Sequence, residues 1–272
     1  MADRGRAFGS AHFQPSTDAI AGTINRTTGV LVGYDRQFTN WRLGVYGGYG
    51  LSNTALADSS GKLQTEMYIG GLYGRTKLAG AAVTINLAGG LLGNHSSRII
   101  NGGRDAGASA DFSGAFVAPD VAVAYDIPLG NGFTLTPGLR ARYIGTFTQD
   151  YAETGSTQNI AYQGAKSHML EERAELRLAR TQRVAGTLLT THLDGALIAS
   201  QRLGAGAISA SVLGTEFSVQ NGTAGTLTGL MLGAGLDMQL SRDTSVYTSG
   251  DVAEYTDGSK AASARVGLRM GF

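Results

Sequence analysis

The stretch that decides the fold is Lys260-Ala-Ala-Ser-Ala-Arg-Val-Gly-Leu-Arg-Met-Gly-Phe272. Counted in steps of two, Phe272, Met270, Leu268, Val266, Ala264 and Ala262 share one face of an extended strand. Gly271, Arg269, Gly267, Arg265 and Ser263 share the other. The first face is apolar from end to end; the second is small or cationic. An apolar stripe that ends on a terminal aromatic needs an apolar medium along its whole length. A strand of a transmembrane barrel, with lipid on one side and water on the other, provides one.

Working outward, the same alternation recurs along the chain. Twelve strands are predicted: Arg4–Gln14, Thr27–Phe38, Trp41–Leu56, Gly61–Lys77, Gly80–Ile99, Gly107–Ile127, Gly132–Tyr151, Ala165–Gln182, Ala185–Gln201, Leu227–Leu240, Thr244–Tyr255 and Lys260–Phe272. Leu230, Leu232, Ala234, Leu236, Met238 and Leu240 oppose Gly233, Gly235, Asp237 and Gln239. Trp41, Leu43, Val45 and Tyr49 oppose Arg42, Gly44, Tyr46 and Gly48. Around Tyr68–Tyr73 the facing is ambiguous, and Glu172 interrupts an otherwise apolar face. Tight connections (Thr39-Asn40, Leu78-Ala79, Pro128–Gly132, around Val184, Ser241–Asp243) alternate with mostly longer, polar ones. The latter are Pro15–Arg26, Ala57–Ser60, Asn101–Arg104, Ala152–Gly164, Arg202–Gly225 and Asp257–Gly258. Outer-membrane barrels carry short periplasmic turns and long outer loops in this order. The expected fold class is therefore all-β, a transmembrane antiparallel β-barrel of about twelve strands. Trp41, Tyr49, Tyr125, Tyr143 and Tyr255 are expected in its interfacial girdles.

Composition agrees. Gly accounts for 41 of 272 residues, about twice the usual share of about 7%. On the inner wall of a narrow barrel Gly makes room for large partners. No run of apolar residues is long enough for a membrane-spanning helix, but barrel strands need only about 9–11 residues, every second one apolar. Cys is absent, which excludes disulfides and thiolate metal sites. The net charge of +1 gives no reason to expect a nucleic-acid partner. Met1-Ala-Asp-Arg-Gly-Arg6 has no apolar leader segment, so an excised piece with an added start Met is expected.

Three stretches, Gly229-Leu-Met-Leu-Gly-Ala-Gly-Leu-Asp-Met-Gln-Leu-Ser241, Asp243-Thr-Ser-Val-Tyr247 and Ala264–Phe272, resemble the C-terminal β-domain of type V autotransporters. So do Gly5-Arg-Ala-Phe-Gly9 as a first strand and Pro137-Gly-Leu-Arg-Ala-Arg-Tyr143 in the middle. The resemblance implies a twelve-stranded barrel, integral to the outer membrane of a Gram-negative bacterium. It implies a translocator that anchors and helps to export an N-terminal passenger through its pore. The implied partners are outer-membrane lipid, the barrel-assembly machinery, and the protein's own passenger domain and linker helix; the barrel is expected to be a monomer. Phe272, Met270 and Leu268 match the assembly signal of the family's last strand. Residues 1–272 are expected to form one barrel domain, with passenger and pore helix absent.

The candidate chemistry is sparse. The four His are His12, His95, His168 and His192. His192-Leu-Asp194 could share the lumen face and serve a barrel hydrolase of phospholipase or protease type, but no Ser motif accompanies it. Asn94-His95-Ser96-Ser97 is a weaker candidate near a strand end. Zinc spacings are missing, and Tyr46-Gly-Gly-Tyr-Gly50 and Gly102-Gly-Arg-Asp105 lack the context of phosphate loops. No catalytic, metal or cofactor site is expected, and the protein is read as no enzyme. Glu171, Arg173, Glu175 and Arg177 project to one side with alternating sign. A charge at the lipid midplane costs about 2–4 kcal/mol, so these four should face inward, joined by Arg140 and Arg142. They are expected to line a hydrated lumen and contact a threaded segment; a salt-bridge network that only stiffens the wall is the simpler reading. A passive diffusion pore is the other alternative.

Overall fold

A computed structural model describes residues 5–18, 22–100, 107–204, 207–220 and 225–272. Every regular element among them is a strand. In chain order these are β1 (Gly5–Asp18), β2 (Thr23–Gln37), β3 (Trp41–Leu56), β4 (Gly61–Leu78), β5 (Ala81–Arg98), β6 (Ala108–Ala124), β7 (Ile127–Gly130), β8 (Phe133–Thr148) and β9 (Tyr151–Ala152). They continue with β10 (Ile160–Tyr162), β11 (Lys166–Val184), β12 (Thr187–Arg202), β13 (Ala207–Val212), β14 (Thr215–Gln220), β15 (Thr226–Gln239), β16 (Thr244–Tyr255) and β17 (Lys260–Gly271).

Twelve of these close on themselves: β1 to β6, β8, β11, β12 and β15 to β17, each antiparallel to its neighbours. The ring closes twice over in sequence terms. β8 pairs with β11 from Phe147↔Lys166 to Phe133↔Arg180, and β17 returns to β1 from Gly271↔Arg6 to Lys260↔Thr17. Closure leaves no free edge on the membrane-spanning wall, so every strand can satisfy its backbone within the ladder.

Local chemistry sets the hairpins. β4–β5 and β11–β12 turn on two residues each, Ala79-Gly80 and Ala185-Gly186. Both residues of each turn are left-handed, with φ of 49° and 87°, and 49° and 82°. Type I′ turns need that pair of conformations, and their twist matches the flanking strands.

The curvature identifies the inner face. Tyr73 of β4 hydrogen-bonds Asp35 of β2, stepping over β3. Tyr46 of β3 reaches Asn86 of β5 at 2.9 Å, and Arg269 of β17 reaches Asp237 of β15. Side chains two strands apart can meet only on the concave side. The opposite parity therefore faces out: Val32, Val45, Leu72, Leu91, Leu139, Leu193, Leu232 and Val266 are all exposed. The burial order of a soluble protein is reversed. Asp35, Asp120 and Glu171 are buried while the large aliphatics are bare, as a lipid-facing wall requires.

Several expectations are refined. β1 and β2 run four residues further at their long-loop ends than the alternation indicated. The fourth strand, ambiguous in sequence, turns Tyr68 and Leu72 outward and Tyr73 inward. Tyr255 is not in a girdle: it lies on the inner face over Gly229, whose missing side chain makes room for the ring. On the outer face Tyr34, Trp41 and Phe272 gather near the short turns, and Tyr49 and Tyr68 pair toward the long loops with ring centroids 5.3 Å apart. Glu172 sits at the long-loop border of the apolar band, where Gln201 donates to it at 3.4 Å. The Lys260–Glu254 pair, 3.3 Å apart, lies at a similar height. Charge near the interface costs only about 0–1 kcal/mol, which explains the interruption.

The two longest connections are not the plain polar loops expected from their composition. They carry β9, β10, β13 and β14, which form a second sheet in the order β14-β13-β10-β9. Ile160, Ala161 and Tyr162 pair with Val212, Ser211 and Ala210. Ser109 bridges Thr154, so this sheet rises from the rim beside β6. The connection Asn101–Arg104 lies outside the described residues.

Candidate functional site

The inner wall is where chemistry can be done, and it is built as a set of ion clusters. The tightest is on β1 to β4. Asp35 has no exposed surface. Arg6 donates to it through Nε at 3.1 Å and Nη2 at 2.6 Å, Arg42 through Nη1 at 2.5 Å, and Tyr73 through its hydroxyl. Gly33 and Gly44 flank this carboxylate on the neighbouring inward positions, leaving space for Phe8 and Tyr73. Phe8 and Tyr73 meet edge to face, with centroids 6.1 Å apart. The wall around Asp35 is packed by these side chains.

The predicted charge row occupies another part of the wall. β8 and β11 set Arg142 opposite Glu171 and Arg140 opposite Arg173. Asp120 of β6 serves Arg142 at 3.0 Å and Arg140 at 3.3 Å. Arg140 Nε is buried and not aligned to donate. Arg173 pairs with Glu171 at 2.9 Å. Arg177 pairs outside the row, with Asp194 of β12 at 2.6 Å. Glu175 has no ion-pair partner among the described residues. All six side chains lie on the inner face, but they do not form one continuous ladder; Asp120, absent from the sequence expectation, and Asp194, expected on the lumen face but not as a partner of this row, divide them. A cavity of about 1450 Å³ adjoins this part of the wall, with Arg140, Arg173, Ile198, Gly229 and Tyr255 among its lining.

His192 and Asp194 do meet: Nδ1 lies 2.8 Å from Oδ2. Arg177 holds the same carboxylate with two donors, at 2.6 and 3.3 Å. No side chain among the described residues hydrogen-bonds the other ring nitrogen of His192. The remaining histidines are dispersed. His95 faces outward against Asp111 at 2.7 Å, and His168 contacts the Tyr143 hydroxyl at 2.5 Å. Among the described residues no three His, Asp or Glu side chains are grouped as a metal site.

At the long-loop rim the second sheet is locked to the barrel. Arg98 makes a two-pronged bond to Glu153, at 2.8 and 2.7 Å, and also donates to the Gln158 carbonyl at 2.6 Å. Phe112, Tyr151 and Tyr162 stack in a column, with centroids 3.9 and 4.7 Å apart. Burial pushes the Tyr151 phenol up to about 12, and the neighbouring Tyr162 and Glu153 add to that.

At the other rim lies the predicted assembly signal. Phe272, Met270 and Leu268 all face outward along the β17 edge that meets β1. Phe272 donates its N–H to the Gly5 carbonyl at 3.1 Å, and its ring stacks on Tyr34 with centroids 5.9 Å apart.

Sequence reasoning did not single out Asp35 or Asp120, and it set Asp237 on the inward face without naming it as an ion partner; these are the carboxylates around which the arginines gather. A signal was present: each is a lone acid at an inward position of a strand, with glycine or alanine two residues away.

Comparison with known proteins gives the fold's relatives. Residues 4–251 match the family model described as the autotransporter beta-domain. Among solved structures, the translocator domain of the autotransporter NalP from Neisseria meningitidis superposes with a TM-score of 0.77 at 17% identity, covering 99% of this chain and 88% of that one. The beta domain of the Bordetella autotransporter BrkA gives 0.74 at 17% identity, with 99% and 100% covered. The transport unit of AIDA-I from Escherichia coli gives 0.58 at 15%, with 100% and 91% covered. No curated protein matches.

Proposed function

Because the chain belongs to the autotransporter beta-domain family, we propose that its barrel is the pore through which an attached N-terminal passenger reaches the cell surface. The protein is integral to the outer membrane and acts as a translocator. The observation that carries the reading is the combination of a closed, outwardly apolar wall with an inner wall crowded by arginine–carboxylate pairs. A hydrated, charged passage lets an extended or helical polypeptide slide without sticking, because each contact it makes is replaceable by water.

Within this reading Arg140, Arg142, Glu171, Arg173, Glu175 and Arg177 contact the linker helix during export. Phe272, Met270 and Leu268 are the strand-end signal taken up by the barrel-assembly machinery. Outer-membrane lipid covers the apolar band, and the barrel works as a monomer. It carries out no reaction of its own and needs no cofactor: the His192–Asp194 pair is tied to Arg177 and serves as polar lining.

The test is a passenger fusion. A signal peptide and a folded reporter are placed ahead of the barrel, and surface exposure is read by protease digestion of intact cells. Reporter on the surface supports the proposal; reporter confined to the periplasm with a correctly inserted barrel overturns it. Arg173→Ala/Arg177→Ala in the same fusion tests the lumen contacts. Normal display from a stable barrel would leave those residues as wall stiffeners only.

A further inference from the structure

The inner-face arginines are matched with carboxylates along most of the lumen. Arg6 and Arg42 share Asp35, Arg140 and Arg142 share Asp120, and Arg173, Arg177 and Arg269 take Glu171, Asp194 and Asp237. Among the described residues three inward-facing arginines have no such partner. Arg75 and Arg183 open onto the short-turn rim, where bulk counter-ions reach them. Arg265 does not. It lies midway along β17, exposed to the lumen.

Its surroundings are already committed elsewhere. Asp251, one step along β16, accepts the Ser263 hydroxyl at 2.9 Å. Asp237 belongs to Arg269, and Asp194 to Arg177 and His192. What flanks Arg265 are donors. The strand ladders place His12 of β1 directly opposite on one side and Ser249 of β16 on the other. Beyond Ser249 comes Gly235, then His192. The His192 ring leans over Gly235, where a Cβ would come within 2.5 Å of Nε2. The Ser249 hydroxyl and His192 Nε2 have no hydrogen-bond partner among the described residues. One level of the lumen thus gathers a guanidinium, a hydroxyl and two imidazoles; the acid Asp251 lies one step further along β16 and makes no ion pair with Arg265.

We propose that Arg265, with Ser249 and His12 beside it, is an oxyanion site on the lumen wall. Its ligand is the carboxylate of an acidic side chain on the polypeptide that passes through the pore, an assignment of partner that rests on the export reading. A guanidinium fork matches a carboxylate with two parallel bonds, and a charge-assisted pair of this kind is about twice as strong as a neutral one. The low-dielectric wall around a narrow water column strengthens it further. A single such site holds a passing chain in register without trapping it, because the other arginines deep in the lumen already contact carboxylates of the wall.

Binding to the refolded 272-residue barrel in detergent tests this without a passenger. The probes are a capped Ala/Glu peptide, its Ala/Gln counterpart and inorganic phosphate. The Ala/Glu peptide is expected to bind in preference to Ala/Gln. Arg265→Gln should weaken it about tenfold, and Arg75→Gln should leave it unchanged. Arg265→Lys, which keeps the charge but loses the fork, should fall between and guards against a folding defect in the first variant; heat-modifiable mobility confirms the fold of each. Equal affinity for wild type and Arg265→Gln overturns the site. Phosphate binding as tightly as the peptide overturns the assignment to a polypeptide carboxylate and makes it a free-anion site. If the site binds but the passenger fusion stays periplasmic, the export reading fails alone.

Discussion

Phe272 stacks on Tyr34 across the first strand, with ring centroids 5.9 Å apart. The terminal aromatic is thereby part of the barrel seam as well as its outer surface, since its own N–H donates to Gly5. An aromatic pair of this kind adds about 0.5–1.5 kcal/mol beyond its buried area. Deleting Phe272 should therefore cost a refolded barrel only that order of stability. Membrane-inserted yield in cells should drop far more. Comparing detergent refolding with outer-membrane yield checks this; parallel losses in both would make the stack, and not recognition during assembly, the reason for Phe272.

Asp35 should be the most costly single acid to remove. Without its fully buried carboxylate, the half-buried Arg6 and Arg42 face each other with no counter-charge. Breaking a buried pair on one side costs about 3–5 kcal/mol. Asp35→Ala should lower the temperature at which the folded band converts on heated electrophoresis. Tyr73→Phe, which removes one donor only, should lower it much less, by about 1–2 kcal/mol of stability.

Gly71 should resist substitution for a reason of space. A Cβ at that position collides with the Tyr46 ring, whose hydroxyl is fixed 2.9 Å from Asn86. Gly71→Ala should displace the ring and break that bond, costing about 1–3 kcal/mol. Gly70, the adjacent outward-facing residue, has open space around its Cβ position, and Gly70→Ala should be near neutral in the same melt.

The rim sheet should loosen in alkali. An unfolded tyrosine ionises near about 10, whereas burial holds the Tyr151 phenol neutral until about 12. Between these values the folded form keeps a proton that the unfolded form has lost, so local stability falls as pH rises. It is fully present below about 10. Near-ultraviolet dichroism of the Phe112–Tyr151–Tyr162 column should decay over this window while the barrel's far-ultraviolet signal holds. Tyr151→Phe should abolish the decay; an unchanged pH profile in that variant would refute the assignment to Tyr151.

Arg98 and Glu153 should act as the clasp of the same sheet. Glu153→Gln keeps the Ile160 N–H acceptor but loses the charged two-pronged bond. Faster proteolysis within residues 149–165 on intact cells is expected, with no change in barrel heat-stability.

Much of the barrel was legible because lipid imposes a period of two on every strand. That rule alone separated Leu230, Leu232 and Leu236 from Asp237, and sent Arg140, Arg173 and Arg177 inward. Tyr255 was misplaced because a tyrosine at a strand end suits a headgroup layer and a lumen equally, and only the gap at Gly229 decides between them. The rim sheet was missed because β9 and β10 are two and three residues long, too short to show any period.

The sequence by itself determined that the chain is a barrel, how many strands close it and which side of each strand meets lipid, since these follow from local alternation and connection length. Only the tertiary structure decided which charges meet. Asp35 lies 29 residues from Arg6 along the chain, which the β1–β2 register sets directly opposite it, and 38 from Tyr73, which curvature brings to it over β3. Strand pairing likewise sets His12 and Ser249, and no carboxylate, directly opposite Arg265, a property of position in the ring that no window of sequence contains.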